Sequence, residues 1–124
     1  MNLQNPVSNR EKGRDSEDLA LKFLQKKGFT LIEKNFTVKG GEIDLIMSFD
    51  GFYVFIEVKS LNVFSPFSVY QSLTKRKKYF LRKTIDKWLL KNNLKSEPWR
   101  VDFVAIQTYP NKTSKIEHFE YIQI

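Results

Sequence analysis

Two strand-like runs separated by Asp50-Gly51 constrain the fold of this chain more than any other feature. The runs read Gly-Glu-Ile-Asp-Leu-Ile at 41–46 and Tyr-Val-Phe-Ile-Glu-Val-Lys at 53–59. Both are rich in β-branched and aromatic residues, and Asp-Gly is the strongest short-range signal for a two-residue hairpin turn. The sequence therefore predicts an antiparallel β-hairpin at the centre of the fold.

The turn also sets which side chains meet across the hairpin. If Phe49 pairs with Phe52, Asp44 lies opposite Glu57 on one face of the sheet, with Cβ atoms about 5 Å apart. A slip of two residues places Asp44 opposite Lys59 instead and keeps these side chains on that face. Because like charges placed opposite each other cost stability, the pattern favours a bound divalent cation with oxygen ligands.

Length and composition limit the remaining possibilities. A chain of 124 residues, 41% of them hydrophobic, fits one globular domain over 1–124. A formal net charge of +7 favours a polyanionic partner such as nucleic acid. The chain has no cysteine and one histidine, His118, which excludes thiolate sites and sites with two imidazoles. The sequence contains no run of membrane-spanning length, so we expect a cytoplasmic protein with no membrane contact.

Caps, turns and periodicity predict two helices and five strands. A capping box at Ser8-Asn9-Arg10-Glu11 and a stop at Gly28 indicate a first helix at roughly 9–27. The elements around the hairpin are a strand at 31–38, an irregular connection at 60–72, a helix capped by Ser72 or Thr74 that runs to about Asn92, and strands at 99–107 and 116–122. This order indicates an α/β domain in which helices flank a mixed sheet.

One acidic residue of the first helix lies on its apolar face. At about 100° per residue, Glu17 falls between Leu21 and Leu24, inside the arc that faces the core. Its carboxylate either extends from the edge of the arc to water or reaches the hairpin carboxylates. The acidic hairpin favours the second alternative. His118, by contrast, is expected on the surface of the last strand.

The pattern Asp-x12-Glu-x-Lys on consecutive strands, preceded by a helical glutamate, resembles the PD-(D/E)xK nuclease superfamily, which includes restriction endonucleases and archaeal Holliday-junction resolvases. Over nearly its whole length the chain is similar to the small bacterial YraN-like family of predicted endonucleases. The matching segments are Gly13-Arg14-Asp15-Ser16-Glu17, Asn35, 41–46, 54–59, Phe67, Thr74-x-x-Lys77 and Arg100-x-Asp102. Ser16 stands where that family usually has glycine, and Leu61 where it often has arginine.

This resemblance implies a restriction-endonuclease-like fold and an endonuclease that depends on Mg²⁺ or Mn²⁺. It implies that Asp44 and Glu57 bind the metal ion and that Glu17 is a third ligand, direct or through water. Lys59 would then contact the phosphate or the attacking water. Carboxylates suit these hard cations, and a bound ion stabilises charge on the scissile phosphate. The alternative is a solvated hairpin edge with a Glu42–Lys59 ion pair.

Cations on both predicted helices are expected to contact nucleic acid. They are Arg10 and Arg14 on the first helix and Lys75, Arg76, Lys77, Lys78 and Arg82 on the second. The run at 75–78 crowds a helix N-terminus, where the helix dipole disfavours cations and a bound phosphate would reverse the penalty. An ordinary solvated basic face is the alternative. Lys77 lies at the edge of the apolar arc and is expected to point toward the acids.

We therefore expect a metal-dependent endonuclease acting on DNA, with structured or branched DNA among the candidate substrates. The rival interpretations are a nucleic-acid-binding module that cuts nothing and an accessory subunit that acts with a protein partner. The intact set of Asp44, Glu57 and Lys59 favours the enzyme. A homodimer stays open as well, because resolving a DNA junction needs two cuts.

Overall fold

The computed structural model describes residues 9–61 and 66–124, with side chains from residue 14 in the first segment and from residue 69 in the second. Three helices and five strands lie in these segments. In chain order they are α1 Asn9–Lys26, β1 Thr30–Val38, β2 Gly41–Phe49, β3 Phe52–Ser60, α2 Pro66–Ser72, α3 Lys75–Lys91, β4 Trp99–Thr108 and β5 Ser114–Phe119.

The strands form one mixed sheet in the sequential order β1-β2-β3-β4-β5. β3 and β4 are parallel, and the other neighbouring pairs are antiparallel. The parallel pair requires a crossover connection, which α2 and α3 supply. The predicted mixed sheet flanked by helices is confirmed, and it is consistent with a restriction-endonuclease-like fold. No helix within the two described segments is long and apolar enough to cross a membrane.

The Asp50-Gly51 turn has the geometry that the sequence predicts. Both residues have positive φ, 50° and 82° respectively, as a type I′ hairpin turn requires. The β2–β3 ladder begins at Phe49–Phe52 and runs to Leu45–Ile56. The turn therefore sets the first of the two predicted registers and not the one slipped by two residues.

The crossover contains one helix, α2, that the sequence pattern does not predict. The prediction of an irregular connection at 60–72 is wrong over its second half, where α2 spans Pro66–Ser72. Proline is favoured at the first position of a helix. Thr74 caps α3 as predicted, since its hydroxyl accepts a hydrogen bond from Lys77 N–H at 3.2 Å.

The last strand ends earlier than predicted. β5 spans Ser114–Phe119 rather than 116–122. Tyr121 has a φ of 56°, which lies outside the extended region that a strand needs. The chain turns there, and Ile122 N–H donates to the Val101 carbonyl oxygen at 2.8 Å.

Apolar side chains fill both faces of the sheet, one under α1 and the other under α3. The core under α1 comprises Ala20, Leu24, Phe29, Leu45, Met47, Val54, Ile56, Val104 and Ile106. The core under α3 includes Ile43, Ile46, Phe55, Leu81, Ile85, Trp88, Val101 and Phe103. β4 supplies residues to both cores, as expected of a strand that is covered on both faces.

β2 begins with a close approach to α3. A Cβ atom at Gly41 would collide with the Thr84 hydroxyl and would lie 3.4 Å from the Phe80 carbonyl oxygen. Thr84 is buried and donates to that carbonyl oxygen at 2.7 Å, which fixes its position. Glycine at position 41 therefore allows α3 to contact the start of β2, directly beside Glu42.

Candidate metal and nucleic-acid site

The β2–β3 ladder opens at Asp44. Its last pair is Leu45–Ile56, and Val58 N–H donates to Asp44 Oδ2 at 2.8 Å. The hairpin ladder therefore ends one pair before the predicted pair of Asp44 with Glu57. The physical reason is that a charged carboxylate is a stronger acceptor than a backbone carbonyl oxygen.

β1 and β2 are both twisted beside this opening. Ile43 and Ile46, three residues apart on β2, contact the same core, although an extended strand changes face at every residue. On β1, Asn35 has a φ of 53°, in the left-handed region that Asn tolerates better than most residues. The β1–β2 register places Asn35 beside Asp44. The twist therefore occurs where the acidic side chains of β2 lie.

Three carboxylates meet at this twist. Ligand oxygens of Glu17, Glu42 and Asp44 all lie within 4.8 Å of one another. With its amide nitrogen turned toward the acids, Asn35 donates to Glu42 at 3.3 Å and also to Glu17. We call these three carboxylates the acid group. The structure brings the predicted Glu17 and Asp44 together, and it adds Glu42, which the sequence suggests only as an ion-pair partner of Lys59.

Burial and nearby negative charge raise the pKa of Glu17 and of Asp44. The pKa of Glu17 rises to about 7, because burial disfavours its charge and because Asp44 and Glu42 are close. Burial also raises the pKa of Asp44 to about 6, although the hydrogen bond from Val58 opposes this shift. A nearby cation would therefore stabilise the charged forms of Glu17 and Asp44.

Glu57 and Lys59 lie on β3 beside the acid group. Burial, followed by the charge of Asp44, raises the pKa of Glu57 to about 8, and Lys59 is the strongest of the cations that oppose this shift. Within the described residues, Glu57 is not one of the carboxylates that converge within 4.8 Å. Glu57 and Lys59 line a cleft of about 390 Å³ together with Glu42. No ion pair joins Glu42 to Lys59 in the segment 9–61.

The acid group fits a hard divalent cation. Two oxygens bound to one ion at about 2.0–2.6 Å lie up to about 4–5 Å apart, which agrees with the 4.8 Å spread of the carboxylate oxygens. Mg²⁺ and Mn²⁺ prefer carboxylate oxygens, and Mg²⁺ needs few protein ligands because it retains water. Glu17, Glu42 and Asp44 would hold the ion. Glu57 is close enough for its charge to interact with Asp44.

The cleft beside Glu57 and Lys59 is bounded by the first turn of α3, and we call it the α3 cleft. Arg76 and Lys77 belong to its lining, and Lys77 is one of the cations whose charge lowers the pKa of Glu57. Arg76 also lies over the Phe80 ring, 5.4 Å from its centroid. The neighbouring cations at 75 and 78 share this helical turn but not the cleft lining.

The other predicted nucleic-acid contacts lie elsewhere. Arg82 Nη1 donates to the Ile124 carbonyl oxygen at 3.2 Å, outside the lining of the α3 cleft. Arg14 lines a second, smaller cleft with Glu17. The side chain of Arg10 lies outside the described residues.

A second polar cluster is buried near the hairpin end of β4. Asp102 is fully buried and accepts hydrogen bonds from Arg100 Nη2 and from Tyr121 N–H, both at 3.2 Å. His118 Nε2 lies 2.7 Å from Asp102 Oδ2, and the His118 side chain is only 2% exposed. The prediction of a surface position for His118 is therefore wrong, because Asp102 binds it in the interior.

Arg100 is enclosed by aromatic rings. Its guanidinium carbon lies 4.3 Å from the centroid of Tyr121 and 5.7 to 5.9 Å from the centroids of Phe29, Phe49 and Phe52. Its Nε is 3.1 Å from Asp102 Oδ1 but forms no aligned hydrogen bond. Asp102 is therefore the main compensation for a buried positive charge.

The raised pKa values predict that cation-free protein loses stability as the pH rises. Glu57, with a folded-state pKa of about 8, holds its proton at pH 6–7, whereas the unfolded chain has already released it. The contribution of Glu57 to the free energy of unfolding is fully present below about pH 4.5 and is lost as the pH rises toward 8. The total loss is on the order of a few kcal/mol. Thermal melting in EDTA between pH 5 and 8 measures the loss. It should be smaller in Glu57→Gln, and an equal fall in both proteins would contradict the prediction.

Asn35 is expected to position Glu17 and Glu42. Asn35→Gly permits the same backbone conformation but removes the bridging amide, so Mn²⁺ affinity should fall about 10- to 100-fold, as for other partners of metal ligands. Calorimetric titration measures this affinity. Asn93→Gly is the matched control, because Asn93 also has positive φ, 58°, but is exposed after α3. If both variants bind Mn²⁺ as the wild type does, Asn35 has no such role.

The sequence contains a signal for Glu42 but none that locates Asn35 in the site. Glu42 lies two residues before Asp44, which places both on one side of an extended strand. Asn35 is a residue type that tolerates positive φ, although nothing in β1 alone locates such a twist.

Comparisons with known proteins agree on one family. The model of the uncharacterised protein family UPF0102 matches residues 16–106. A UPF0102 protein of Carboxydothermus hydrogenoformans is 32% identical over 116 residues, which cover 94% of this chain and 98% of the relative. A UPF0102 protein of Sulfurihydrogenibium sp. is 36% identical over 110 residues, 89% and 91% of the two chains. A UPF0102 protein of Photobacterium profundum is 38% identical over 104 residues, which cover 82% of this chain and 83% of the relative. The chain with this acid group therefore belongs to the uncharacterised protein family UPF0102.

Proposed function

We propose that this chain is an endonuclease of the PD-(D/E)xK type that hydrolyses phosphodiester bonds in DNA with Mg²⁺ or Mn²⁺. The observation that carries the proposal is the convergence of Glu17, Glu42 and Asp44 beside Glu57 and Lys59. Hard oxygen ligands for a cation, a lysine beside them and a cleft with a basic rim are the groups that phosphodiester hydrolysis needs.

Each side chain has a role that its position supports. Glu17, Glu42 and Asp44 hold the divalent cation, which when bound supplies charge stabilisation at the phosphate and lowers the pKa of the attacking water. Lys59 lines the α3 cleft with Glu57, so its ammonium can donate to a phosphate oxygen there. With a cation bound, Glu57 would carry negative charge next to Asp44, which strengthens the preference of the site for a cation.

Purified protein incubated with linear, flapped and four-way-junction DNA tests the proposal. Products on a denaturing gel should appear with Mg²⁺ or Mn²⁺ and be absent with EDTA. Lys59→Ala should lose cleavage and keep Mn²⁺ binding, because the carboxylates are untouched. The matched control Lys95→Ala, at an exposed position away from the site, should retain cleavage. DNA binding without cutting by the wild type would instead support the non-cutting binding module.

The basic first turn of α3 is expected to bind the DNA backbone. Replacing Lys75, Arg76 and Lys78 together by Ala should weaken binding and reduce the slope of log affinity against log salt by roughly 2–3 units. Fluorescence anisotropy over a salt series in EDTA measures the slope. The control replaces three cations outside the cleft lining by Ala: Lys91, Lys95 and Lys112. An equal reduction of the salt slope in this control would assign the basic turn to ordinary solvated surface.

A further inference from the structure

The acid group adjoins a second cleft on the side of α1, which we call the α1 cleft. Glu17 belongs both to its lining and to the acid group, whereas Glu42 and Glu57 line the α3 cleft. The acids therefore lie between two openings. The α1 cleft has a volume of about 200 Å³ and is lined by Arg14, Glu17, Asp18, Lys34 and Asn35.

Two cations lie in the α1 cleft. Lys34 Nζ is 3.3 Å from Asp18 Oδ1, in an ion pair whose side chains are 40% and 57% exposed. An exposed ammonium retains donors for a further ligand. Arg14 is exposed and forms no ion pair within the described residues. Its planar guanidinium suits bidentate contact with a phosphate.

Cations thus flank the acids on both sides. Lys59, Arg76 and Lys77 lie in the α3 cleft, and Arg14 and Lys34 lie in the α1 cleft. A polynucleotide strand carries a phosphate on each side of the bond that is cut, and the acid group repels both. Positive charge on one side alone would offset this repulsion for one neighbouring phosphate only.

We infer that Arg14 and Lys34 form a second phosphate subsite, which binds the phosphodiester on the far side of the scissile bond from α3. The inference rests on the proposed function and extends it. A bound strand passes from the α3 cleft across the acids into the α1 cleft. The substrate is therefore a continuous strand, and the site needs no strand end.

DNA binding in EDTA tests the subsite independently of cleavage. Arg14→Ala should reduce the salt slope for a labelled duplex oligonucleotide by about one unit, and Arg14→Ala with Lys34→Ala by about two. The matched control Lys22→Ala with Lys26→Ala removes the same charge from exposed positions of α1 and should change the slope less. Equal slopes for the two double variants would overturn the subsite, whether or not the wild type cuts DNA.

Metal binding separates this subsite from an effect on the acid group. Lys34 is also one of the charges that act on Glu17, so Arg14→Ala is the decisive single variant. Its Mn²⁺ affinity in calorimetry should equal that of the wild type. A lowered Mn²⁺ affinity with an unchanged salt slope would make Arg14 a support of the acid group and overturn the inference.

Cleavage of modified DNA locates the contact. A neutral methylphosphonate placed next to the mapped cut, on the side of the α1 cleft, should slow the wild type about tenfold, or about 1.4 kcal/mol. It should not slow the double variant further, because both changes remove the same contact. Additive losses would overturn the subsite, as would failure to cut a covalently closed circular form of the DNA that is cut in linear form. Absence of all cleavage by the wild type would overturn the proposed function, and the salt slopes would still decide the subsite.

Discussion

Asp44→Asn should abolish cleavage together with the stabilisation that Mn²⁺ gives to the folded protein. The change keeps the shape of the side chain and removes the charge of one oxygen ligand, on which cation binding depends. At a Mn²⁺ concentration of 100 times Kd, the wild type should gain about 2.7 kcal/mol of stability, and the variant should gain close to none. In EDTA at pH 8 the variant should melt above the wild type, because repulsion within the acid group is relieved.

Thermal melting with and without Mn²⁺ makes this comparison. Asp86→Asn is the matched control, since it is the same chemical change at an exposed position of α3, and it should keep both activity and the gain from Mn²⁺. Glu57→Gln tests whether Glu57 is one of the metal ligands, because Glu57 does not belong to the acid group. We expect it to lose cleavage and keep most of the gain from Mn²⁺. Equal gains in the wild type and Asp44→Asn would remove the main support for the nuclease.

Asp102→Asn should cause the largest loss of stability of any isosteric change in this chain. Asp102 is fully buried and compensates the charge of Arg100, and it also binds His118 and Tyr121 N–H. Breaking a buried ion pair from one side leaves the other charge uncompensated and costs about 3–5 kcal/mol. For a chain of this length we expect the melting temperature to fall by about 10–20 °C.

An exposed ion pair provides the control for this variant. Lys115 and Glu117 lie 3.3 Å apart on β5, with side chains 51% and 38% exposed. Glu117→Gln should therefore change stability by less than about 1 kcal/mol. Asp102→Asn should retain DNA binding below its melting temperature, because the cluster lies toward the hairpin end of β4 and outside both clefts. A melting temperature as high as that of Glu117→Gln would contradict the prediction.

Local signals were sufficient to predict most of the secondary structure. Asp50-Gly51 fixes a hairpin through its own positive φ values, and Thr74 caps α3 through a bond to Lys77 three residues later. These preferences act within a few residues, so they can be read without knowledge of the rest of the fold. The helical position of Glu17 belongs to the same class, because periodicity places it on the buried face.

Long-range contacts explain what the sequence does not reveal. Glu42 meets Glu17 of α1 beside Asn35, and this convergence depends on how α1 and β1 pack against β2. The burial of His118 depends on Asp102, which is distant in the chain. The end of the hairpin ladder depends on competition between the Asp44 carboxylate and a backbone carbonyl. None of these outcomes follows from the preference of a single segment.

The parallel pairing of β3 with β4 has a consequence for the order of folding. β1, β2 and β3 pair with their neighbours in the chain, whereas β4 reaches β3 only after the crossover of α2 and α3. Because closing a long loop costs entropy before its contacts form, we expect the three-stranded meander first and β4 later. The segment 17–57 holds every carboxylate of the site, whereas the lining of the α3 cleft includes Phe103 of β4. The acids would therefore come together before the α3 cleft is complete, so full attraction for polyanions should develop only when the sheet closes.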